Sequence, residues 1–180
     1  MIYVFLAEGF EETEAIAPID MLRRAGEELK TVGVTGKEVK SSHGVTVIAD
    51  MTADEIKLDS ELKMIVLPGG MPGTNNLEAD STVQKAIDFC EAEGRFIGAI
   101  CAAPKIIGAK GLLDGKKAVC FPGFESFLKG AEVQSDIVVR DGNIITAKGA
   151  GAAVAFGLKL VEALKGSAVS SKIENQIQCR

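Results

Sequence analysis

The chain has no tryptophan, a single tyrosine (Tyr3) and a single histidine (His43) among its 180 residues. So few rings leave little to stack on nucleobases, and a net charge of -5 supplies no basic stripe for a phosphate backbone. Nucleic acid is therefore not expected as a partner. No apolar run reaches bilayer-spanning length, so no membrane association is expected either. The opening residues, Met1 to Glu8, lack the basic start of a secretory signal and read as a strand. The four cysteines (Cys90, Cys101, Cys120, Cys179) are sparse and never in C-x-x-C spacing. That pattern points to a reduced, cytoplasmic setting and away from structural zinc. One histidine and scattered thiols build none of the usual metal sites, and no cofactor is expected.

What is present is the raw material of an α/β fold. The length suits one domain spanning residues 1–180, the hydrophobic fraction is 47%, and 20 glycines suggest many strand-to-helix turns. Short apolar runs read as strands at 2–7, 29–34, 64–67, 96–100, 117–120, 137–140 and 143–147, and Val45 to Ile48 as an alternating edge ribbon. Helical periodicity covers 12–25, 81–93, 102–109 and 150–164. Pro18 lies inside the first of these and should kink or offset it. Asp141-Gly142 is a hairpin signal between the last two strands. The alternation predicts a mostly parallel sheet with helices on both faces, whose ligands gather at the carboxyl ends of the strands. Cys101, Gly70 and the Glu8-Gly9 turn all fall at those ends.

The most informative segment is Phe96-Ile97-Gly98-Ala99-Ile100-Cys101-Ala102-Ala103-Pro104. A strand runs straight into the cysteine, small residues flank it two before and two after, and proline stands where a helix begins. This is the context of a nucleophile elbow, a turn sharp enough to expose the side chain. Free N–H groups at the following helix start would favour thiolate over thiol. Cys90, on an apolar helix face, reads as core; Cys120 ends a strand, and Cys179 lies in the tail. Glu11 and Glu12 read as helix-start charges favourable to the dipole. Asp20 and Arg24, one turn apart, read as a surface pair, and His43 as a surface turn residue. Gly149-Ala150-Gly151 follows a strand and opens a helix, but lacks the third glycine and the second βαβ unit of a dinucleotide site. Close helix–strand packing explains it better.

Three motifs in register, Ala7-Glu8-Gly9-Phe10-Glu11-Glu12-Thr13-Glu14, Leu67-Pro68-Gly69-Gly70 and Ala99-Ile100-Cys101-Ala102-Ala103-Pro104, resemble the signatures of the ThiJ/DJ-one/PfpI superfamily. The branch most similar is that of the Parkinsonism-associated deglycase. The resemblance covers the whole chain and implies a flavodoxin-like three-layer sandwich, usually a homodimer, with Cys101 as nucleophile. It implies that Glu14 hydrogen-bonds to that thiol, and that backbone N–H groups of the Gly69-Gly70 loop and of Ala102 face the sulfur. It also brings Asp20 and Arg24 toward the dimer face and sets His43 where the family carries an arginine reaching across the dimer. Peptidase-like relatives have histidine directly after the nucleophile, where this chain has Ala102. Another histidine of the branch corresponds to Phe121. A Cys-His-Asp triad is thus not available, and peptide hydrolysis is disfavoured.

Independently of the resemblance, a carboxylate beside a thiolate would repel it, so Glu14 should be protonated when it touches Cys101. A neutral acid there is a proton shuttle, and the Gly70 and Ala102 N–H groups could stabilise an oxyanion. The expected function is a cofactor-free glyoxalase or deglycase acting on α-oxoaldehydes such as methylglyoxal or on their early glycation adducts. The rival is a redox sensor or stress-response chaperone in which Cys101 oxidises to sulfinate without turnover. A structural family member without chemistry would leave Cys101 no more reactive than Cys90.

Overall fold

A computed structural model describes residues 1–179. The strands are β1 (Ile2–Leu6), β2 (Leu29–Gly33), β3 (Glu38–Lys40), β4 (Thr46–Ile48), β5 (Met51–Thr52), β6 (Met64–Leu67), β7 (Phe96–Ile100), β8 (Lys117–Ala118), β9 (Glu132–Val133), β10 (Val138–Asp141) and β11 (Ile144–Ala147). The helices are α1 (Glu12–Arg24), α2 (Gly73–Ala79), α3 (Ser81–Ala92), α4 (Pro104–Ala109), α5 (Ala153–Lys165) and α6 (Ser167–Gln176). The seven-stranded sheet has the order β10-β11-β7-β6-β1-β2-β5. Every pairing is parallel except the β10–β11 hairpin. Gly142 enters that hairpin's tight turn at φ 59°, a left-handed conformation that glycine adopts without strain.

Strand alternation divides the molecule into three layers. Ile2, Val4 and Leu6 of β1 face a core closed by Leu22 of α1 and Phe156 and Leu160 of α5. Tyr3 and Phe5 face the opposite core, closed by Val83 and Ile87 of α3 and Ile106 of α4. Each such side chain, once buried, contributes about 1.5–3 kcal/mol by leaving water. Two glycines set the spacing on the first face. A Cβ on Gly98 would lie 2.9 Å from Leu160, and one on Gly157 would lie 2.8 Å from Met21 and 3.0 Å from the Pro18 Cα. Gly157 thus lets α5 press directly against the α1 backbone at Pro18. The helix runs through that proline without a break, although Pro18 has no N–H to offer the Glu14 carbonyl one turn back.

Several local expectations are corrected. The ribbon at 45–48 pairs with β3 in a separate two-stranded sheet, and Lys117-Ala118 pairs with β9 in another. The segment after Cys101 is a turn, and its helix begins only at Pro104. Residues 150–152 form a 3-10 turn before α5 starts at Ala153. Helices α2 and α6 had no clear periodic signal. Among the described residues, no helix is long and apolar enough to cross a membrane.

Candidate active site

The site is built at the carboxyl ends of β1, β6, β7 and β11. Cys101 leaves β7 at φ 63°, one of two non-glycine residues at positive φ among those described. A residue bearing a Cβ is strained there by about 1 kcal/mol or more, so its neighbours must hold it. The Cys101 N–H donates to the Ala147 carbonyl at 2.9 Å, and its own carbonyl accepts from the Phe121 N–H at 2.8 Å. The elbow is therefore clamped from two sides, and the thiol is partly exposed.

Glu14 reaches the same point from the first turn of α1, and its residue is only 1% exposed. Glu11 caps that helix, accepting from the Glu14 N–H at 2.7 Å. The Glu14 carboxyl accepts from the Gly69 N–H at 2.9 Å and is hydrogen-bonded to the Cys101 thiol. Backbone N–H groups of Gly70 and Ala102 donate to the sulfur. The Gly69-Gly70 loop has room only for glycine. A Cβ on Gly69 would lie 2.5 Å from Glu14 Oε2 and 2.6 Å from the Cys101 Cβ. Gly70 sits at φ +90° against the backbone of residues 9–11.

Cys101, Glu14, Gly69, Gly70 and Ala102 therefore converge. Burial lifts the Glu14 carboxyl to about 7; the Glu11 charge adds to this, while the Cys101 and Gly69 hydrogen bonds oppose it. The thiol moves the other way from the sequence expectation. Burial first, then the Glu14 charge and hydrogen bond, push Cys101 up to about 12, against the pull of the Gly70 and Ala102 N–H groups. The turn does not by itself produce a thiolate, because burial outweighs the pull of its N–H groups and the Glu14 charge adds to that burial. The two groups act on each other through charge and hydrogen bonding, so their titration belongs to the pair. Cys90, in the core, is pushed up to about 12 by burial alone as the leading cause, and Cys120 to about 11.

The other candidates lie away from the sulfur. Asp20 and Arg24 pair on the exposed face of α1 at 2.8 Å. His43 is well exposed and stands 3.2 Å from Glu12. Among the described residues, folding gathers one group with the composition of a metal site, since ligand atoms of Glu11, Glu12 and His43 lie within 4.8 Å of one another. Those contacts are already explained by the helix cap and the Glu12–His43 pair. Two residues escaped the sequence reading. Gly149 borders the site, because a Cβ there would lie 3.2 Å from the Phe121 ring and 4.0 Å from Glu14 Oε1. Ala147 supplies the carbonyl that holds Cys101. Both sit at the carboxyl end of β11, where strand order alone would have placed them beside β7.

A sequence profile of the DJ-1/PfpI family matches residues 1–163. The chain belongs to that family. It is 38% identical to the protein dj-1beta of Drosophila melanogaster over 166 residues, 91% of this chain and 88% of that one. The glutathione-independent glyoxalase DJR-1.2 of Caenorhabditis elegans is 31% identical over 160 residues, 88% of this chain and 85% of that one. Among solved structures, oxidised Toxoplasma gondii DJ-1 superposes with a TM-score of 0.93 at 34% identity, covering 98% of this chain and 97% of that chain. The α/β architecture with a mostly parallel sheet is thus that of the DJ-1 structures.

Proposed function

We propose that the protein is a cofactor-free, glutathione-independent glyoxalase, acting through Cys101 and Glu14 on α-oxoaldehydes such as methylglyoxal or on their early glycation adducts. The observation that carries this reading is a strained, partly exposed thiol set directly against a buried carboxyl lifted to about 7. At neutral pH such a carboxyl both accepts and returns a proton readily. Sulfur adds to the aldehyde carbon while its proton passes through Glu14 to the aldehyde oxygen, giving a hemithioacetal. Glu14, again a carboxylate, removes the hydrogen on that carbon. The resulting enediol is reprotonated on the neighbouring carbon, leaving a thioester of the 2-hydroxy acid. Water cleaves the thioester and returns the thiol. The sum is oxoaldehyde plus water to 2-hydroxy acid, with no external oxidant. The Gly70 and Ala102 N–H groups, already directed at the sulfur, stabilise negative charge as the bond forms.

The chemistry is tested by lactate production from methylglyoxal without glutathione. Wild type forms lactate, Cys101→Ala forms none, and Glu14→Gln loses about two orders of magnitude or more in turnover. Folded, reduced wild type that forms no lactate overturns the reading. The second reading, a redox sensor, is favoured by the partial exposure of Cys101 and by donors able to hold sulfinate oxygens. The thiolate attacks peroxide and aldehyde alike, so the thiol favours neither reading; the buried carboxyl lifted to about 7, suited to proton transfer, sets the sensor reading second.

We further propose a homodimer. Ile16 on α1 is 44% exposed and Ile48 on β4 is 74% exposed, and a groove of about 830 Å³ lined by Ile16, Asp20, Arg24, Val154 and Ile177 runs along α1. A second copy seated on this groove would cover Ile16, with Asp20 and Arg24, which line it, offering polar contacts. Light scattering giving twice the 18.9 kDa chain mass supports this, and a monomer at micromolar concentration overturns it. Four free cysteines suit a reducing, cytoplasmic compartment.

A further inference from the structure

A groove of about 520 Å³ lies beside the reacting pair, and Phe121, Pro122, Ile137, Gly149 and Ala150 line it with one charged residue, Lys148. Its two largest apolar side chains are uncovered, Phe121 at 46% and Ile137 at 57% exposure. Backbone contacts fix the groove to the site. The Phe121 N–H holds the Cys101 carbonyl, and the Lys148 N–H donates to the Ile137 carbonyl at 2.9 Å, bringing the two walls together. Gly149 forms the shared boundary, open to the Phe121 ring on one side and to Glu14 on the other. An α-oxoaldehyde whose aldehyde carbon meets Cys101 must direct its remaining substituent somewhere, and an apolar channel bordering Glu14 is available.

We infer that this groove receives the substituent on the ketone carbon, and that Phe121 and Ile137 make the enzyme prefer α-oxoaldehydes carrying an aryl or bulky alkyl group. This rests on the glyoxalase reading above. A methyl group leaves most of the groove to water. A phenyl ring displaces that water and covers both exposed side chains. The aryl group also conjugates with the ketone, so the groove's contribution is that part of the kcat/KM preference which substitution of its walls removes.

The test compares phenylglyoxal with methylglyoxal on wild type, Phe121→Ala and Ile137→Asp; both positions are exposed, so folding is not at stake. Wild type is expected to favour phenylglyoxal by roughly tenfold or more in kcat/KM, the scale of burying a few carbons, and each substitution to cut that ratio about fivefold. Cys101-dependent methylglyoxal turnover with a ratio near one, or a ratio that neither substitution changes, overturns the inference and leaves the glyoxalase reading standing. Absence of turnover on both substrates overturns the glyoxalase reading instead. The groove is then judged by calorimetric binding of the two hydroxy acids. Mandelate binding more tightly than lactate, and less so in Ile137→Asp, upholds the apolar subsite; equal binding overturns it.

Discussion

Replacing Glu14 by glutamine should make the protein more stable at alkaline pH and not at acid pH. The carboxyl is lifted from its ordinary 4.5 to about 7 in the folded state, chiefly by burial. Between those values the native chain keeps a proton that the unfolded chain has released. Stability therefore falls as pH rises through this window and levels off above about 7. At 1.36 kcal/mol per decade the full displacement is worth about 3 kcal/mol, of which about 2.5 kcal/mol is lost between pH 5 and pH 8. Glutamine has no charge to bury and still accepts from the Gly69 N–H, although its amide N–H groups find a poorer setting beside the thiol. That penalty, about 1–2 kcal/mol, does not vary with pH. Urea denaturation of both proteins at pH 5, 6, 7 and 8 isolates the carboxyl, because the constant penalty cancels from the difference. The variant should gain about 2.5 kcal/mol on wild type across that range. Parallel stability curves would refute the argument, since they would mean that Glu14 ionises alike in the folded and unfolded chains.

Cys101→Gly should be more stable than Cys101→Ala by about 1 kcal/mol, because only glycine relieves the left-handed backbone; chemical denaturation of the two inactive variants compares them directly. Gly69→Ala should lose most turnover and about 2–4 kcal/mol of stability, since its methyl group would displace either the Glu14 carboxyl or Cys101, as circular dichroism melts and lactate assays would show. Burial works against ionisation of Glu27, yet hydrogen bonds and charges from Lys165 and Lys63 outweigh it and hold the carboxyl low. The bridges measure 2.9 and 3.1 Å to a side chain only 2% exposed. Their stabilisation is present above the ordinary carboxyl range and is lost as pH falls through the lowered folded value. Glu27→Gln should therefore cost about 1–2 kcal/mol at pH 7 and progressively less toward pH 3, as denaturation midpoints would report.

The central strands could be read from the chain because each is a short apolar run whose neighbours are turns, and β6 and β7 match to the residue. The elbow could be read for a related reason. A strand, small residues and Pro104 leave the backbone few ways to pass Cys101. Short elements were harder. Helix α2 has seven residues, too few for a periodic pattern, and it is placed by the Gly70–Thr74 hydrogen bond and by Leu77 in the core. Helix α6 buries only Ile173, so its sequence carries little amphipathic signal. In the sequence Gly149 reads as packing, because glycine announces no chemistry. What matters there is the space it leaves between Phe121 and Glu14, and that space exists only once β11 lies beside β7.

The same limit explains why the Cys101 thiol is pushed up where the sequence leads one to expect it lowered. From sequence, the free N–H groups after the elbow and the carboxyl of Glu14 are separate influences, one favouring thiolate and one opposing it. Folding decides between them through burial. Gly69 lets the carboxyl approach the sulfur with no methyl group between them, and the charge of Glu11 stands behind it. In that setting two negative charges cannot coexist near neutrality, and the one that is tolerated falls on the carboxyl. A sensor thiol gains from a permanent charge, since peroxide reacts with the thiolate. A site that must move protons between two adjacent carbons gains instead from a partner able to hold and release one proton near pH 7. The arrangement around Cys101 is of the second kind, and Glu14, more than the cysteine, is the residue whose environment argues for turnover.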